Sequence, residues 1–123
     1  YINHLLSKNK IKEQVPIYAN KLIFRDNNIE LNFNHLQINN CHQPFGICGN
    51  CKYKIIQRLR RSYEQIIYIG DGLTDCCAAS EVDYLYAKED HYLIEYCRKN
   101  DIDYDSYKNF RDLKNIVLKC EVI

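Results

Sequence analysis

Two aspartates four residues apart, Asp71 and Asp75, close the stretch Ile66-Ile67-Tyr68-Ile69-Gly70-Asp71-Gly72-Leu73-Thr74-Asp75. The apolar run before them, rich in β-branched residues and tyrosine, reads as a buried parallel strand. Gly70-Asp71-Gly72 is where that strand leaves its sheet, and the carboxyl end of a strand is the usual ligand crevice of an open α/β sheet. Asp71 at the strand end and Asp75 one helical turn on can face a common point, as a hard, oxygen-seeking cation such as Mg²⁺ requires. The same residues also suit a plain strand-to-helix turn, with glycine supplying an unusual backbone angle and aspartate an N-cap. Lys52, at the start of a predicted helix, brings a mobile cation toward the crevice, or else is a surface lysine. Two carboxylates and a lysine are the set expected where Mg²⁺ and a phosphoryl group meet: carboxylates hold the metal and the ammonium neutralises oxygens that gain charge. Lys54, two residues round the helix, should point elsewhere.

Cysteine offers a rival site. Cys48-x-x-Cys51, with Cys41-His42 before it, could supply four zinc ligands. Adjacent Cys41 and His42 fit one tetrahedral centre awkwardly, and no second Cys-x-x-Cys occurs. Cys76, Cys77, Cys97 and Cys120 read as small core residues, since buried cysteine behaves as a hydrophobe.

Placing these groups takes alternating strands and helices. Ile2, Leu5 and Leu6 share a face of a short amphipathic helix ending near Glu13. Pro16 then opens an extended segment with Ile17 to Asn20 strand-like. Leu22 to Phe33 reads as a hairpin with one wet face, turning at Asp26-Asn27-Asn28. Asn34 to Asn50 is a long loop, and such loops are often functional. A helix from Cys51 to about Ser62 precedes the strand Gln65 to Ile69. The helical stretch Thr74 to Ser80 follows, with Ala78 and Ala79 small enough to sit close to a sheet. Next come a strand from Val82 to Ala87 and a helix from Asp90 to Lys99 with Leu93, Ile94 and Cys97 inward. Asp103 to Tyr104 is a brief edge strand, and a last helix, Tyr107 to Leu118, buries Phe110, Leu113 and Val117. This alternation implies an α/β fold with a largely parallel sheet.

Composition sets the bounds. At 123 residues the chain holds one domain or part of one. Apolar content of 46% and charged content of 27% are globular values. A net charge of +1, from 17 basic and 16 acidic residues, gives no field for a phosphate backbone, so no nucleic-acid partner is expected. Arg58, Arg60 and Arg61 read as a solvated helix end. No apolar run approaches a bilayer span and no signal-peptide pattern opens the sequence. With seven cysteines, an odd number, the expectation is a reduced, cytoplasmic protein without a membrane partner. The uncapped opening Tyr1-Ile2-Asn3-His4 reads as a helix entered from upstream, so residues 1–123 are expected to be a partial domain.

Lys52-x-x-Ile55-Ile56-x-x-Leu59, then a strand, then Gly70-Asp71-Gly72-x-x-Asp75, resembles the third and fourth motifs of the haloacid dehalogenase-like superfamily of phosphohydrolases. Cys48 to Lys52 and the tail from Tyr86 to Asp112 look like one branch of it, with the phosphoserine phosphatase-like enzymes and the methionine-salvage phosphatases acting on 2-hydroxy-3-keto-5-methylthiopentenyl-1-phosphate. The opening helix followed by Val15 to Asn20 also fits that branch, so the resemblance covers essentially the whole chain. It implies the C-terminal half of a Rossmann-like core with a β-hairpin insertion. It further implies that Lys52 stabilises a phosphoaspartyl intermediate, Asp71 binds Mg²⁺ and Asp75 binds or orients the metal site. Gly70 and Gly72 would let the backbone turn close to it. The implied chemistry is phosphoryl transfer from a small phosphomonoester to an aspartate, then attack by water.

The family's first motif, Asp-x-Asp-x-Thr or Val, carries nucleophile and general acid, and these 123 residues contain none. Asp101-Ile102-Asp103 is followed by Tyr104 and Asp105 and lies after the fourth motif. The second motif's Ser or Thr and the mobile cap are missing too. The expectation is therefore a phosphatase whose nucleophile segment and cap lie upstream, this chain alone having little activity. A non-catalytic binding or regulatory protein that kept the fold is the alternative.

Overall fold

The computed structural model describes residues 2–11, 15–32 and 49–114. Strands β1 (Lys21–Arg25) and β2 (Asn28–Asn32) pair antiparallel as the expected hairpin, with Leu22 opposite Leu31 and Phe24 opposite Ile29. Asp26 takes φ 40° at its turn, a left-handed angle that Asp tolerates better than most residues. Both faces are wet: only Ile23 of the ten strand residues is even half-buried. Phe33 lies outside the described residues. Ile17 to Asn20 is not a strand, and the first helix, α1 (Ile2–Lys8), is shorter than expected and buries no residue.

The second sheet carries the candidate site. Strands β3 (Ile67–Gly70), β4 (Tyr84–Lys88) and β5 (Asp105–Tyr107) are parallel, in the order β3-β4-β5, so the chain is α/β. Parallel neighbours need crossovers. Between β3 and β4 runs a 3₁₀ turn, Leu73–Asp75, continued by helix α3 (Cys76–Ala79). Between β4 and β5 runs the longer helix of the pair, Tyr92–Lys99. The helix before β3, α2 (Lys52–Leu59), packs on α3 through Ile56, Ile66 and Ala78. With Tyr92–Lys99 as α4, the main core joins Cys76, Ala79, Leu85, Ala87, Leu93, Ile94 and Cys97. Leu93 is fully buried, which stabilises the fold by about 1.5–3 kcal/mol. Ala78 and Ala79 are buried as expected, small enough for a helix to lie against the sheet.

Alternation sends Tyr86 to the other face of the sheet, where it meets Tyr107 and Leu113. Here the structure corrects the reading. Tyr107 ends a strand instead of starting a helix, and the helical residues 110–114 bury Leu113 but leave Phe110 exposed. Val117 and Cys120 fall outside the described residues. Strand β3 is also less buried than its composition suggests, with Ile67 and Ile69 exposed at the end of the sheet order. Among the described residues, no helix is long and apolar enough to cross a membrane.

Candidate active site

The site is built where α2 begins and β3 ends. Ile56 and Leu59 turn one face of α2 inward, which places Lys52, its first residue, over the turn after β3. Lys52 Nζ donates to Thr74 Oγ1 at 3.1 Å and forms a salt bridge with Asp75 Oδ1. Residues 23 apart in sequence thus meet.

Asp75 is buried and its two oxygens are fully engaged. Oδ1 accepts from Lys52 and from the hydroxyl of Tyr68 at 2.6 Å. Oδ2 accepts the backbone N–H groups of Asp71 and Gly72, each at 2.9 Å. Burial pushes this carboxyl up, but the bonds from Lys52, Tyr68, Gly72 and Asp71 outweigh it and hold Asp75 below the ordinary carboxylate range. Burial, then the bond to Asp75, drives the Tyr68 hydroxyl far above its ordinary value, so Tyr68 stays a donor. Sequence reading missed Tyr68 and Thr74. A strand tyrosine two residues before the glycine was the available signal, because alternation puts residues 68 and 70 on one face.

Asp71 is the opposite case. Its backbone carbonyl accepts Leu93 N–H at 3.2 Å, tying the start of α4 to the loop. Its carboxylate is exposed and, among the described residues, takes part in no hydrogen bond or ion pair. The two aspartates therefore do not form an open pair: one is locked into the turn and the other faces solvent.

The glycines differ as well. A Cβ on Gly70 would lie 2.9 Å from both Asp75 Cγ and Tyr68 Cε1, so Gly70 is needed for close approach. A Cβ on Gly72 would meet nothing nearer than 4.0 Å, and Gly72 has an extended backbone at φ −115°. Gly72 serves through its N–H. Neither glycine takes the left-handed angle considered for the turn.

Of the proposed zinc ligands, Cys41, His42 and Cys48 lie outside the described residues, and Cys51 is buried just before α2. Among the described residues no three His, Cys, Asp or Glu side chains gather as a metal cluster. Cys76 and Cys97 are buried as expected, with burial pushing the Cys76 thiol up to about 11, whereas Cys77 is only half-buried. Arg60 is not simply solvated: its guanidinium bridges Asp83 and the carbonyls of Glu64 and Glu81.

No family model matches the chain. Over 104 residues, 85% of its length, it is 35% identical to a 2-hydroxy-3-keto-5-methylthiopentenyl-1-phosphate phosphatase of Bacillus cereus (strain ATCC 10987 / NRS 248). The same identity over the same length relates it to the phosphatase of that name from Bacillus pumilus (strain SAFR-032), and 35% over 103 residues to one from Bacillus anthracis. The chain spans less than half the length of these curated relatives, 43–44%. It is thus homologous to the phosphatases of the branch its motifs resemble.

Proposed function

We propose that this chain supplies the lysine and metal-binding half of a Mg²⁺-dependent phosphomonoester hydrolase site of haloacid dehalogenase-like type. The observation that carries this reading is the contrast between the aspartates: Asp75 is saturated by four donors, and Asp71 beside it is open. Mg²⁺ is usually bound by one or two carboxylates and keeps several waters and phosphate oxygens, so a single exposed carboxylate at the end of parallel strands fits it. Asp71 would hold the ion. Asp75 would orient the site by fixing the two amides that flank Asp71's turn and by holding Lys52. Bound there, Mg²⁺ supplies positive charge to phosphoryl oxygens and orients them.

Lys52 would keep an ammonium at the mouth of the turn, ready to neutralise oxygens that gain charge as the phosphoryl group moves. The nucleophile would be an aspartate carboxylate from a segment of Asp-x-Asp-x-Thr type: it takes the phosphoryl group as the P–O bond to the ester's alcohol breaks, the motif's second aspartate protonates the departing alcohol, and water then cleaves the phosphoaspartate to phosphate and the free carboxylate. These 123 residues hold no such segment, so the chain by itself is expected to turn over no phosphomonoester. The alternative reading is a non-catalytic binding or regulatory protein that retains the fold.

A chimaera separates the two readings. With this chain in place of the matched 104 residues of the Bacillus cereus relative, hydrolysis of a small phosphomonoester is expected with Mg²⁺. Lys52→Met or Asp71→Asn should each lower kcat by at least about a hundredfold, the loss seen when one preorganised electrostatic partner is removed. A folded chimaera without activity, or one indifferent to both substitutions, would overturn the enzymatic reading and leave the binding protein.

A further inference from the structure

The sheet register sets a second cation beside Asp71. Gly70 pairs with Ala87, so Asp71 and Lys88 leave neighbouring strands side by side. Lys88 in turn lies opposite Tyr107 on β5. Asp71, Lys88, Tyr107, Lys108, Asn109 and Phe110 line one cavity of about 250 Å³. Lys88 is half-buried, and among the described residues its ammonium has no hydrogen bond or ion pair. Partly desolvating a charge without a partner is unfavourable, which makes Lys88 receptive to an anion.

The far wall is built to keep its shape. Asp112 Oδ2 accepts the N–H groups of Lys108 and Asn109 at 2.9 and 3.0 Å, and Asn109 Oδ1 accepts Arg111 N–H at 2.9 Å. That leaves the Asn109 amide nitrogen as a donor. Lys108 Nζ is 3.7 Å from Glu89 Oε2, a loose contact on an exposed side chain that leaves it free to swing. Phe110, 75% exposed, stands 6.0 Å from the Tyr107 ring and closes the rim with an apolar surface. The volume lies under the range of whole small-molecule pockets, about 300–1,000 Å³, and so suits a small anion or the charged end of a larger molecule. Within the lining, two ammonium groups and an amide donor face one carboxylate, Asp71, while Glu89, beside Lys108, lies outside it.

We propose that this cavity is a second oxyanion subsite, in which Lys88, helped by Lys108 and Asn109, holds phosphoryl oxygens next to Asp71. The ligand is the phosphoryl end of an ester or free inorganic phosphate, which share this chemistry. Choosing phosphate among oxyanions rests on the function proposed above; the anion site itself does not.

Titration of the 123-residue chain, kept monomeric by Phe24→Lys with Ile29→Lys on the distant hairpin and taken as the parent, with inorganic phosphate, and separately with phenyl phosphate, tests it by amide chemical shifts in the absence of metal. Saturable binding is expected, with Lys88→Met weakening Kd by about tenfold or more and Lys88→Arg staying within about threefold, as one charge-assisted contact predicts. Lys54→Met is the charge-matched control and should bind as the parent does. Weakening with both probes marks the ester's phosphoryl end as the ligand, and weakening with phosphate alone marks the released product; either supports the subsite. No binding by the parent chain, or equal binding by a Lys88→Met variant that melts normally, overturns it. Because no turnover and no Mg²⁺ are involved, failure here leaves the chimaera test untouched, and failure there leaves this one.

Discussion

Asp75 shows how far one side chain can organise a turn. Four donors converge on a carboxylate that is 3% exposed, so removing one leaves a buried charge partly unsatisfied. Tyr68→Phe should lower unfolding free energy by about 1.5–3 kcal/mol, the range for hydrogen bonds to charged groups, as read from urea denaturation. Gly70→Ala pushes a methyl into the Asp75 carboxylate, which cannot yield while four donors hold it, and should cost about 1–3 kcal/mol. Gly72→Ala meets open space and should stay within about 0.5 kcal/mol. The pH dependence follows from the depressed carboxyl. Asp75 titrates lower in the folded chain than the unfolded value of about 3.9, so between the two values the unfolded state binds more protons. Its contribution is complete above about pH 4 and lost as pH falls through the folded value. The stability gap between the parent and Asp75→Asn should therefore be constant near neutrality and narrow below about pH 4. Lys52, Asp71 and Asp75 stood out in the sequence through the joint spacing of two motifs, a lysine opening one helix and Gly70-Asp71-Gly72-x-x-Asp75 closing the next strand, since either part alone also suits a surface lysine or a plain turn. Tyr68 did not, because a tyrosine in a strand has the composition of a core residue and its hydroxyl partner is set by the turn.

At the scale of elements, the far end of α2 is held as firmly as its start. Arg60, just past the helix, bridges Asp83 and the Glu81 carbonyl, while Asp83 also accepts Ile66 N–H at 2.7 Å and Gln57 reaches Glu81 at 2.8 Å. This clamp ties α2 to the segment between α3 and β4, on the same crossover that carries Asp75. Arg60→Ala should lower stability measurably but modestly, since the pair is more than a third exposed and solvent screens it. A drop of several degrees in melting temperature by circular dichroism would register that loss. An unchanged melt would return Arg60 to the solvated face that composition suggested. The parallel sheet, α4 and its inward Leu93, Ile94 and Cys97 were readable from periodicity, which reports burial along one element. Strand ends were less so: β5 lies at Asp105–Tyr107 instead of Asp103–Tyr104 because pairing with β4 decides where a short polar strand forms. Phe110 misleads for the same reason. Hydrophobicity says that it prefers burial, but only packing says whether a neighbour exists.

For the molecule as a whole, the apolar surface left in water becomes the dominant physical fact. Register places Leu22 against Leu31 and Phe24 against Ile29 on one face of the hairpin, and these are 54%, 48%, 72% and 66% exposed. The opposite face carries Lys21, Ile23, Arg25 and Glu30, so the more apolar of two wet faces is the one that alternation marks for a core. Ile67, Ile69 and Tyr84 form a second exposed patch on the sheet, where β3 has β4 as its one strand partner among the described residues. Contiguous apolar patches of more than a few hundred Å² drive association, as do unpaired strand edges. The chain should therefore self-associate at concentrations of tens of micromolar or so, seen as a mass that rises with concentration in light scattering. The hairpin should contribute more, since it presents two complete cross-strand apolar pairs and the sheet patch includes an amphipathic tyrosine. Phe24→Lys with Ile29→Lys should then restore a monomer more fully than Ile69→Lys, which interrupts only the smaller patch. If Ile69→Lys alone gave the monomer, the β3 edge would be the main adhesive surface. A parent chain that stayed monodisperse would show that neither patch is continuous enough to bind another copy.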